Sequence, residues 1–103
     1  MGVSRHQLLN DALDMSRRML ELGSAGEWDA VIALEPERRI LLEQAFATHV
    51  PVDEFVTERV RAILDLDKRL MAQSTEARDR IAEELGRSGR GRRATSAYQA
   101  TRA

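Results

Sequence analysis

The stretch from Glu27 to Phe46, EWDAVIALEPERRILLEQAF, constrains this chain most, because it is helical in spacing yet apolar on two faces. Counted at 100° per residue, Val31, Ile32, Leu42 and Phe46 share one face with Trp28. Leu34, Leu41 and Ala45 share a second face, more than roughly 90° away on the same count. One apolar stripe is enough to pack a helix into a bundle. A second stripe asks for another partner, inside the chain or outside it. The first stripe also carries Glu35 and Arg39, and charges rarely sit on a core face unpaired. Pro36 lies inside the stretch, where it removes one backbone hydrogen bond and is expected to kink the helix.

Helices are expected on both sides. Ser4 and Gln7 match a capping box, so a first helix should start at Arg5. Leu8, Leu9, Ala12, Leu13, Met15, Met19, Leu20 and Leu22 follow at helical intervals. The run Gly23-Ser24-Ala25-Gly26 should end that helix and turn the chain back on itself. After a break at Thr48-His49-Val50-Pro51, with Thr48 or Asp53 as cap, a third helix is expected from about Val52 to Leu85. Val56, Val60, Ile63, Asp67, Leu70, Ser74, Ala77 and Ile81 form a stripe with coiled-coil spacing along it. From Gly86 the sequence turns to glycine, serine and arginine, which reads as a flexible linker. Ala94 to Ala103 could close into a short fourth helix. The expected fold is all-α: a small antiparallel bundle of three long helices over residues 1–86, with a flexible basic tail over 87–103.

Composition narrows the function classes. The chain has 103 residues and no cysteine, which fits one small domain without disulfides or thiol chemistry. Its net charge is −1, but residues 1–86 carry 11 Lys and Arg against 17 Asp and Glu. The tail carries Arg87, Arg90, Arg92, Arg93 and Arg102 and no acid. An acidic body and a basic tail can attract each other or different partners. No apolar run approaches the roughly 20 residues that cross a bilayer, and the opening MGVSRHQ lacks a signal core. A cytoplasmic protein without membrane insertion is expected.

The search for chemistry is short. His6 and His49 have no ligand-spaced partner, so no metal is expected. GRSGRG follows a helix and lacks the strand-turn-helix context of a phosphate loop. No catalytic constellation and no cofactor site emerges, so an enzyme is not expected. Asp67 is the odd residue, an acid in the middle of an apolar stripe. Glu35, Arg39 and Asp67 are the candidates for a structural ion pair that fixes helix register, a role such pairs fill better than they add stability. Met15 and Met19 suit either core packing or a surface that accepts varied apolar partners.

These residues together resemble the FliT-type flagellar export chaperones. The resemblance is carried by LLNDALDMSRRMLELGSAGEWDAVIALEPERRILLEQAF, ILDLDKRL and GRRATSAYQ. Gly26, Trp28, Asp29, Leu34, Glu35, Arg38, Leu41, Leu42, Leu66, Asp67 and Tyr98 match the family pattern, and Pro36 departs from a plain helix former. The resemblance implies a cytoplasmic helical bundle that binds the C-terminal segment of the filament-cap protein and keeps it unassembled until export. It implies delivery to the export ATPase and to the cytoplasmic domain of the export gate, with Tyr98 at the place of the gate-docking tyrosine. In some bacteria the family also restrains the flagellar master regulator. On this reading Leu34, Leu41 and Ala45, with Met15 and Met19, line a groove for an amphipathic client helix, and Tyr98 anchors a docking arm. Two other classes compete. One is a helical nucleic-acid-binding protein using the arginine tail, with strong salt dependence. The other is a structural coiled-coil homodimer formed through the third helix.

Overall fold

A computed structural model describes residues 3–47 and 51–102, with side chains up to Arg87. Three helices follow one another: α1 (Arg5–Ser24), α2 (Trp28–Ala45) and α3 (Glu54–Arg102). The chain divides into two compact units, residues 1–73 and residues 74–103.

The start and stop of α1 are written locally. Ser4 Oγ accepts the Gln7 backbone N–H at 3.2 Å, which satisfies one of the donors a helix start leaves open. At the other end Gly26 takes φ 75°. The Glu27 N–H then reaches Leu22 O at 2.9 Å and the Gly26 N–H reaches Gly23 O at 3.1 Å. This is a Schellman turn, and it needs a residue that tolerates the left-handed region. Such a short link sends α2 back along α1. Arg5 Nε donates to Ala45 O at 2.7 Å, so the start of α1 meets the end of α2. α3 opens with Asp53 as its cap, whose Oδ1 accepts the Val56 N–H at 2.8 Å. Thr48, the other expected cap, lies outside the described residues.

Within residues 1–73, the first part of α3 runs alongside α1 in the same direction. His6 Nε2 meets Asp53 Oδ2 at 2.8 Å near one end, and Gln73 Nε2 donates to Ser24 Oγ at 2.7 Å near the other. The core is built from Leu8, Leu9, Ala12 and Leu13 of α1, Ala45 of α2, and Val56 and Ile63 of α3. Leu41, Leu42, Val60, Ala62 and Leu66 pack against it, partly buried. At Gly23, α1 packs tightly against α3 and Trp28. A Cβ there would stand 2.6 Å from Gln73 Oε1, 3.1 Å from Trp28 Cη2 and 3.2 Å from Leu70 Cδ1.

Two expectations are corrected. α2 is one helix containing Pro36, as expected, but its buried residues are Val31, Arg38 and Ala45 rather than either apolar stripe as a whole. The core direction therefore bisects the two apolar stripes. Ile32 and Phe46 of the first stripe are exposed, at 68% and 47%. The third helix does not stop at Leu85 but runs to Arg102. Gly86, Gly89 and Gly91 each cost about 1 kcal/mol of helix propensity against alanine, yet all three lie within the helix. In residues 74–103 the helix carries an i,i+4 ion pair, Arg87 to Glu83 at 3.1 Å, and exposes Ile81 and Leu85. The side chain of Tyr98, the expected docking anchor, lies outside the described residues.

Candidate client-binding face and the ion network beneath it

The centre of the buried face of α2 is an arginine. Arg38 is 8% exposed. Its Nη1 donates to Ser16 Oγ at 3.1 Å and to Asp67 Oδ1, and its Nη2 donates to Glu35 Oε2 at 2.8 Å. One guanidinium thus holds all three helices together, using the planar fork that suits carboxylates. Ser16 is itself buried and also donates to Ala12 O at 2.8 Å. Arg38 Nε has no partner among the described residues. Glu35 and Asp67 remain in partial contact with water, which lowers the desolvation cost of the cluster.

The ion pair expected between Arg39 and Asp67 is therefore replaced by Arg38 with Asp67. Arg39 points outward and only approaches Glu35, at 3.6 Å. The register reading placed one charge on the first apolar stripe. The buried position instead falls to Arg38, which lies midway between both stripes. That midpoint was the available signal: a helix with two apolar stripes faces its neighbours along their bisector.

The expected groove residues separate into two groups. Met19 and Ala45 are 1% exposed and locked inside the chain's own core, so as placed they cannot touch a partner. Met15, Leu34 and Leu41 are half-buried, and Leu41 packs against the core cluster. Apolar side chains that the fold leaves open beside the network lie on α3. Leu64 is 55% exposed and Met71 69% exposed. With half-buried Val60 they fall within roughly 40° of one another on the helix. The stripe runs beside Asp67, so the Arg38 network lies under its edge. The periodic reading of α3 missed Leu64 and Met71 because both sit just off the core stripe.

At the end formed by the starts of α1 and α3, His6 stacks on Phe55 with ring centroids 4.1 Å apart. Arg59 lies over the Phe55 ring at 4.3 Å and donates from Nε to Asn10 Oδ1 at 2.8 Å. The Val56 N–H, and after it the His6 ring, hold the Asp53 carboxyl below its ordinary value. These contacts join helix ends and present no nucleophile. Among the described residues no group of three His, Cys, Asp or Glu could hold a metal ion. No described helix is long and apolar enough to cross a membrane.

The chain matches the family described as "Flagellar protein FliT" over residues 6–100. The chain belongs to the FliT family. FliT proteins are flagellar export chaperones, so binding of a flagellar export substrate follows from membership. No curated protein and no solved structure matches the chain.

Proposed function

We propose that this FliT protein works in the cytoplasm, where it binds the C-terminal segment of the filament-cap protein and holds it unassembled until export. The observation that carries the seat is the exposure of Leu64 and Met71 on α3, with half-buried Val60 in line with them. Two large apolar side chains exposed on one helix face, two turns apart, suit a partner's apolar side chains. An amphipathic client helix would lay its apolar face there, and methionine adapts to varied side chains. Ordering the client on binding takes away part of the gross interaction energy, which keeps release feasible. Delivery to the export gate and ATPase belongs to the same proposal, with Tyr98 as the docking anchor.

The test uses the doubly substituted Leu64→Asp, Met71→Asp protein and calorimetry with the cap protein's C-terminal segment. Affinity should fall more than about tenfold, because two charges would be buried without partners, while the circular dichroism of the free protein stays that of the parent. Parent-like affinity would remove the seat from α3. Leu41 is the poorer probe, since its side chain packs on the core and its loss would perturb the fold.

A further inference from the structure

The side of α2 turned away from the core carries features that the client seat does not use. Ile32 and Ile40 are 68% and 53% exposed, and Ala33 and Pro36 between them are exposed as well. Residues 32, 36 and 40 follow one another at helical spacing, so they make a continuous apolar ridge roughly 12 Å long. Pro36 has no N–H, which deprives the Ile32 carbonyl of its usual donor four residues on. That oxygen sits on the ridge as an acceptor without its helical partner. Asp29, Glu37 and Glu43 flank the ridge, and none of them has an ion pair among the described residues. The nearest cation on α2, Arg39, approaches Glu35 instead. Apolar groups, a carbonyl without its i+4 donor and three carboxylates without an ion pair therefore share one helix face.

The geometry points to a second docking surface on the outer face of α2, fitted to a partner protein's basic amphipathic helix. Charge complementarity selects that occupant. A partner helix lays aliphatic side chains on Ile32 and Ile40, and its flanking Lys or Arg meet Asp29, Glu37 and Glu43. An acidic or neutral helix would leave the carboxylates facing like charge or apolar groups. The surface is separate from the α3 stripe, so a client and a second partner can be carried at once.

The experiment takes the full chain and a synthetic helical peptide with leucines at i, i+4 and i+7 flanked by lysines, and a second peptide with glutamates in place of the lysines. Amide shifts and fluorescence anisotropy are recorded at low and at physiological salt. The lysine peptide should shift the amides around Ile32 and Ile40, and the glutamate peptide should not. The triple variant Asp29→Asn, Glu37→Gln, Glu43→Gln should weaken binding at least tenfold and flatten its salt dependence. Ile40→Ser should weaken it severalfold while leaving the unfolding midpoint and cap-segment affinity at parent values. Shifts centred on Leu64 and Met71 would overturn the proposal, as would parent-like binding by the triple variant. Self-association of the parent that Ile40→Ser abolishes would also overturn it, by assigning the ridge to a second copy of the chain.

Discussion

α1 and α2 lie side by side and solve opposite problems. α1 turns a plain apolar stripe inward, with Leu8, Leu9, Ala12, Leu13 and Met19 all buried. α2 buries an arginine at the centre of its inner face and shows Ile32 and Ile40 to water. α1 is therefore held mainly by packing, with Ser16 tied to the charged pin, and α2 by packing plus that pin. The pin adds little net stability over a well-fitted apolar group. What it adds is position, because the Arg38 fork reaches its three partners only when all three helices are in register. A helix fixed in this way can keep apolar side chains on its outside without rolling over to bury them.

That contrast can be broken first at α1. Leu9 is fully buried, so Leu9→Ala should cost about 2–5 kcal/mol through lost transfer energy and a cavity. Urea denaturation followed by circular dichroism measures it, and a loss under 1 kcal/mol would mean that the core collapses around the gap. Asp67→Ala should cost less, about 1–3 kcal/mol. Arg38 keeps Glu35 and Ser16 in that variant, and Asp67 is partly solvated already. A double-mutant cycle with Arg38→Met separates the pairing from the packing of the arginine stem, and Arg39→Met in its place should show no coupling to Asp67.

The smallest effect concerns helix starts, where α2 has no side-chain cap while α1 has Ser4 and α3 has Asp53. The folded state depresses the Asp53 carboxyl through the Val56 N–H first and the His6 ring second. A depressed carboxyl contributes stability above the unfolded value, and that contribution fades as pH falls through the folded one. The parent should thus lose a little more stability than Asp53→Asn when acidified below the ordinary value of 3.8. Thermal midpoints of the two proteins that track in parallel down to pH 2 would show that the cap titrates as in the unfolded chain.

Much of the fold was legible because its signals are local. Ser4 with Gln7, the Gly23–Gly26 turn and the Val56-to-Ile63 spacing each name their structure within a few residues. The binding face was less legible, for a physical reason. Periodicity shows that a helix has apolar stripes, but the orientation of a two-striped helix is set by its neighbours. Met19 and Ala45 look the same in sequence as Leu64 and Met71, yet the first two are buried and the last two are open. The end of α3 was misread because glycine weakens a helix without stopping it unless a left-handed turn follows.

The bare backbone at Gly23 also bears on the order in which the chain assembles. α1 and α2 are joined by three residues, so their hairpin closes a short loop and can form early. α3 reaches Gly23 only through contacts such as Gln73 to Ser24, 49 residues apart in sequence. Because its contacts are non-local, its docking is expected to be the slower step, against the close-fitting site beside Gly23 and Trp28. A methyl group at Gly23 would crowd that site before α3 arrives. The folding rate of Gly23→Ala would then report whether α3 settles before or after the barrier is crossed.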